Sequence, residues 1–255
     1  MTFSEIREFL DEKANLYNRP SFIESDPVSI PRSFSRKENA EIAGFLAASI
    51  AWGKREQILL NARRLVSLMD NHPYKFITGA SALEIRSVSS FCHRTFNGED
   101  ALVFFTSLRN IYSQHGGLEE VFTEGYLKGG SLAAVLIHFR KFFLEPKPAD
   151  RTCRHVADVQ AGSAAKRLNM FLRWMVRSDN RGVDLGLWKG IPPSALMLPL
   201  DLHTGNVSRK LGILTRRQND WKAVEEVTGV LRSFDPDDPV KYDFALFGLG
   251  IYEKF

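Results

Sequence analysis

Apolar residues in this chain recur at three and four, not at two. Gly98 to Gln114 sets the pattern. Leu102, Phe105, Leu108, Ile111 and Tyr112 form one stripe, and His115-Gly116-Gly117 ends it. Few segments alternate as a half-buried strand does, so the sequence predicts an all-α protein. There is no internal repeat and no low-complexity tract. The chain of 255 residues is long enough for one well-buried core or for two lobes, and it reads as a single compact unit.

The same spacing places the other helices. One runs from Ser4 to Lys13. Ser35-Arg36-Lys37-Glu38 reads as a capping box for a buried helix with Ile42, Phe45, Leu46, Ser49 and Ile50 on its inner stripe. Ala51-Trp52-Gly53-Lys54 breaks that helix, and another follows to Leu68. Helices are expected over Leu118 to Lys128, Ser131 to Leu144, Lys166 to Arg177, from Asp201 towards Gly212, and Trp221 to Phe234. The last follows Asp237-Asp238-Pro239, with Asp238 as its cap and Pro239 as its first residue. Glu145-Pro146-Lys147-Pro148 is the one linker-like stretch and reads as a lobe boundary.

Two cysteines, Cys92 and Cys153, supply neither a disulfide framework nor a CxxC metal site, and fall short of the four thiolates of an iron–sulfur cluster. The N-terminus lacks an apolar signal core, and the nearly apolar run Ile42 to Gly53 is too short to span a bilayer. The reading is a cytoplasmic protein without a membrane partner. A net charge of +4 is a mild lean towards polyanions.

That charge is concentrated. Arg151 to Gly190 holds eight Lys or Arg and three Asp, and Arg209, Lys210, Arg216, Arg217 and Lys222 follow. On a helical wheel Lys166, Arg173 and Arg177 lie within about 20° of one line, opposite Leu168, Phe171, Leu172, Met175 and Val176. Such a ridge suits a phosphate backbone, because neutralising phosphates releases counterions; it also suits the solvated back of any surface helix. Lys166 stands at a helix entrance just after Gly162, where the helix dipole disfavours a second positive charge, and a neutral amine is a nucleophile. Asp201 follows Leu198-Pro199-Leu200 and is placed to cap the next helix, whose N–H groups favour a charged carboxylate.

These segments resemble a known superfamily. Ala161-Gly162-Ser163-Ala164-Ala165-Lys166 is similar to the hairpin of helix-hairpin-helix DNA glycosylases, roughly Pro-Gly-x-Gly-x-Lys, whose last lysine is the nucleophile. Leu198-Pro199-Leu200-Asp201-Leu202-His203-Thr204 resembles that superfamily's Val-Asp-Thr-His segment, whose aspartate is catalytic. Ile42 to Lys54 looks like its helix and wedge loop, and Tyr242 to Gly250 like its closing helix. The whole pattern, especially Lys166 to Arg177 and Asp184-Leu185-Gly186-Leu187-Trp188, most resembles a bacterial family known only as a domain of unknown function. The hairpin has lost its proline and second glycine. The Lys-to-Asp spacing exceeds that of endonuclease III-like members, and Ser49 stands where many relatives carry a duplex-probing Gln.

The resemblance implies two helical lobes around a central cleft, roughly 35–165 and 1–34 with 166–255, with a degenerate helix-hairpin-helix. It implies a DNA repair glycosylase, with or without lyase activity, that flips a damaged base out of duplex DNA. Lys166 and Asp201 are then catalytic. Gly162, Arg173, Arg177, Arg209 and Lys54 bind the nucleic acid, and Trp52, Trp174, Trp188 and His203 form the base pocket. No metal or organic cofactor is implied. Two other readings stand beside it: a non-catalytic nucleic-acid-binding protein on the same scaffold, and an unrelated helical protein in which Asp201 is only a helix cap.

Overall fold

The computed structural model describes all 255 residues and is mostly helical. In chain order the helices are α1 (Phe3–Tyr17), α2 (Ser29–Arg32), α3 (Lys37–Ser49), α4 (Arg55–Ser67), α5 (Pro73–Gly79), α6 (Ala82–Arg86), α7 (Gly98–Gln114), α8 (Leu118–Gly129), α9 (Leu132–Phe143), α10 (Asp150–Cys153), α11 (Lys166–Val176), α12 (Leu202–Lys210), α13 (Trp221–Phe234) and α14 (Tyr242–Ile251). The one sheet is a hairpin of β1 (Cys92–His93) and β2 (Phe96–Asn97). The chain forms two compact units, one of residues 25–158 and one of residues 1–24 with 159–255.

The 25–158 unit is built on phenylalanine. Phe45 of α3 stacks on Phe104 of α7 at 5.8 Å and meets Phe139 and Phe143 of α9 edge-on or tilted; Phe122 of α8 stacks on Phe139 at 4.3 Å. α3 is buried from Ala40 to Ser49, which explains its small and apolar sequence; the one charged residue in that stretch, Glu41, accepts from the Tyr112 hydroxyl at 2.6 Å. It starts without the expected capping box. Arg36 is the cap, no side chain caps the helix, and Glu38 bonds the Arg36 side chain at 2.8 Å instead. α7 starts with a full box: Asn97 Oδ1 accepts from the N–H groups of Glu99 and Asp100, and Asp100 returns a bond to the Asn97 N–H.

Gly98 opens α7 against the backbone of Ser89, where a Cβ would come within 2.0 Å of the Ser89 carbonyl oxygen. Backbone cannot step aside as a flexible side chain can. Gly98→Ala is expected to cost about 3 kcal/mol, the upper part of the range for overpacking, read as a lowered denaturation midpoint.

In the other unit α11 is central. Every residue from Leu168 to Val176 is buried. α1 and α14 pack closely, because Gly248 leaves room for the Tyr17 ring: a Cβ there would lie 2.1 Å from the ring. The Tyr17 hydroxyl and Lys13 both bond Glu253 just beyond α14.

Candidate functional site

The turn before α11 is made by backbone. Gly162 has φ +88°, a conformation that favours glycine; its N–H donates to the Val159 carbonyl at 3.0 Å and its carbonyl accepts from the Trp221 N–H at 3.1 Å. Gly162 is therefore bound into its own unit through the start of α13. Residues 154–165 are not helical, and the nearest preceding helix, α10, has four residues. Ala165, in the left-handed conformation, caps α11 without a side-chain bond, and Lys166 is its first residue.

Asp201 forms a capping box. Its Oδ1 accepts from the N–H groups of His203 (2.9 Å) and Thr204 (3.0 Å), and Thr204 Oγ1 accepts from the Asp201 N–H at 2.8 Å. Its carbonyl accepts from Asn219 Nδ2 at 2.9 Å. With Oδ1 so engaged, Oδ2 lies 3.6 Å from Lys166 Nζ. Both side chains are partly open, 31% and 25% exposed. Residues 35 positions apart thus meet as an ion pair between the starts of two helices.

The cationic ridge of α11 is not a surface. Arg173 and Arg177 are 4% and 2% exposed. Arg173 pairs with Asp184 (3.2 Å) and with Asp243 of α14; Arg177 pairs with Asp184 (3.0 Å), Asp179 (2.8 Å) and Asp238 (2.9 Å). Their wheel position was legible, but the acids that draw them inward lie up to 70 residues away. Asp238, expected as the cap of the last helix, makes no capping bond and serves Arg177.

Four carboxylates face these two guanidinium groups, so the buried network has more acid than base. Burial opposes charge on Arg177, yet Asp184, Asp238 and Asp179 hold it protonated, well above the usual arginine range. Burial raises Asp238 against the pull of Arg177. Burial also pushes Asp243 up to about 6, opposed by Arg173, with the Asp201 charge raising it and Lys166 lowering it. Asp243 thereby senses both members of the Lys166–Asp201 pair. It sits in an otherwise apolar run, Tyr242-Asp243-Phe244-Ala245-Leu246, and that lone acid was the signal that could have found it.

A carboxyl raised from 3.8 to about 6 binds its proton more tightly in the folded state. Its stabilising contribution is full below pH 4 and is lost as pH rises to about 6. Relative to wild type, Asp243→Asn is expected to gain stability across that window and hold a constant difference above it, measured by urea denaturation at a series of pH values.

A family model described as a protein of unknown function (DUF2400) matches residues 26–252. The chain belongs to this family. No curated protein and no solved structure matches it. The DUF2400 match covers the Gly162 turn, Lys166, Asp201 and Asp243.

The remaining expected site residues of this DUF2400 chain divide by burial. Trp174 and Trp188 are 0% and 1% exposed, and Trp188 packs edge-on against Phe171; neither offers a face to a flipped base. Arg209 is also turned inward. Its guanidinium donates to the Arg216 carbonyl (2.8 Å) and to Asn219 Oδ1 (2.5 Å), and the same Asn219 holds the Asp201 carbonyl. Arg209 thus braces the aspartate instead of facing a phosphate, and Asn219 is a supporting residue that periodicity could not show. His203 is exposed beside Asp201.

Trp52 and Lys54 lie in the 25–158 unit. Trp52 is half-buried, stacked on His155 at 6.0 Å and edge-on to His93 at 5.1 Å. Lys54 is exposed at the start of α4. Ser49 is buried. No three His, Cys, Asp or Glu side chains converge as metal ligands, and no helix is long and apolar enough to cross a membrane.

Proposed function

We propose that this protein removes a damaged base from duplex DNA, with Lys166 as nucleophile and Asp201 as the charge that stabilises the sugar. The observation that carries the reading is the 3.6 Å approach of Lys166 Nζ to Asp201 Oδ2. Two features of the site support it. Asp201 is fixed by its capping box through Oδ1, so Oδ2 is held in place. Lys166 is the first residue of α11, a helix buried from Leu168 to Val176, so its backbone is anchored in the core.

In the proposed step the Lys166 ammonium passes one proton to the departing base, and the amine so freed attacks the sugar C1′. The bond from C1′ to the base breaks, and the base leaves with the bonding pair and that proton. Asp201 offsets the positive charge that develops on the sugar. The Lys166 nitrogen then passes a second proton to the ring oxygen as the C1′–O4′ bond breaks, giving a protonated imine; loss of a C2′ proton to solvent breaks the C3′–O bond and expels the 3′ phosphate. In this reading the glycosylase-like arrangement keeps its Lys and Asp while its hairpin is reduced to the Gly162 turn. Arg173, Arg177 and Arg209 are engaged inside the protein and take no part in gripping the duplex.

A scaffold that binds nucleic acid without chemistry is the second reading. It is favoured by the inward turn of those three arginines. Base release separates the two. Duplexes carrying 8-oxoguanine, uracil or an oxidised pyrimidine are incubated with the protein and free base is scored. Release from one of them is expected. Salt-sensitive retention on every duplex with no free base from any would favour the binding scaffold.

A further inference from the structure

The 25–158 unit carries a half-open surface cavity of about 520 Å³ at α2 and α4, within the size range of small-molecule sites. Three polar side chains without a partner inside the protein line it, each from a different segment, with Arg63 and Asn71 exposed. Ser29 of α2 contributes a hydroxyl oxygen that is buried and makes no hydrogen bond. Arg63 of α4 makes no ion pair or hydrogen bond, although its neighbour Arg64 donates to the Ser90 carbonyl. Asn71 follows α4 in the left-handed conformation, held by its N–H to the Val66 carbonyl, and its side-chain amide is unused.

The charge of the lining is one-sided. Arg63 is its cation, and no carboxylate lines the cavity. Phe34, Ile30 and Val66 supply the apolar wall. A guanidinium beside an amide donor suits a phosphate, which accepts several charge-assisted bonds. An aromatic ring with aliphatic neighbours suits a flat body.

We propose that this cavity binds a small phosphorylated molecule with a flat heteroaromatic body, of the size of a nucleoside monophosphate. The phosphate lies on Arg63 and Asn71, and the ring lies against Phe34. The site shares no residue with the Lys166–Asp201 pair and stands independently of the activity proposed there.

The test is titration calorimetry on the full chain with three probes: adenosine 5′-monophosphate, adenosine and inorganic phosphate. The nucleotide is expected to bind, and each fragment alone to bind about tenfold or more weakly. Arg63→Ala, at an exposed position, is expected to weaken the nucleotide about tenfold while leaving adenosine unchanged. Phe34→Leu is expected to weaken nucleotide and adenosine alike. No heat from any probe would overturn the proposal. So would nucleotide binding that neither substitution changes. Inorganic phosphate binding as tightly as the nucleotide would overturn the role of the aromatic wall.

Discussion

Arg177→Met is expected to lower the stability of the 1–24 with 159–255 unit by about 3–5 kcal/mol, the cost of stranding buried charge. Methionine fills much of the space the arginine leaves, so a cavity accounts for little of the loss. What remains is electrostatic. Asp184 keeps only Arg173, and Asp238, which burial already raises, loses its cation. The variant carries a pH signature. Stranded buried carboxyls take up protons more readily, so the deficit against wild type shrinks as pH falls towards 4 and grows towards neutrality. Typical domains are stable by about 5–15 kcal/mol, so a loss of this size is a third or more of the total. Trp174, Trp188 and Trp221 all lie in this unit, so tryptophan fluorescence during urea denaturation reports it. A midpoint shift of under about 1 kcal/mol, the value of an exposed ion pair, would contradict the burial of this network.

Asp201→Asn is expected to abolish base release, by a hundredfold or more on the scale of lost transition-state charge stabilisation, while leaving the fold nearly unchanged. Asparagine is as good a helix cap as aspartate, so the bonds from the His203 and Thr204 N–H groups to the Oδ1 position survive. What goes is the negative charge at Oδ2 facing Lys166. Asp201→Ala removes charge and cap together and is expected to cost a further ~1 kcal/mol of stability. The pair of variants therefore separates the chemical role of this residue from its structural one. If Asp201→Asn releases base at the wild-type rate, Asp201 is only a cap.

Helices with their own start and stop signals were legible in the sequence. α7 and α13 run over the predicted residues because each carries a cap, an apolar stripe and a stop locally. The hairpin Cys92–Asn97 was not, since two-residue strands are too short for any alternation to register. α11 was placed correctly and turned the wrong way. A helical wheel reports which residues share a face, and it cannot report that Asp184, Asp238 and Asp243 return to cover that face. The capping box at Ser35 failed for a similar reason, because a competing partner, Arg36, was one residue nearer to Glu38 than the expected cap. At the candidate site, sequence pattern picked out Lys166 and Asp201. It could not supply their 3.6 Å approach, which depends on the path of residues 177–200. Asn219 was invisible for the same reason, as its importance comes from what it touches, whereas Asp243 stood out only as a lone acid in an apolar run.

The most direct measurement is to trap the protein with borohydride on a duplex carrying an abasic site, digest it with trypsin, and locate the modified lysine by mass. Modification of Lys166 blocks cleavage there, so the adduct is expected on the peptide from His155 to Arg167. An adduct on Lys189, Lys222 or any other lysine, with Lys166 unmodified, would contradict the assignment of Lys166 as the nucleophile.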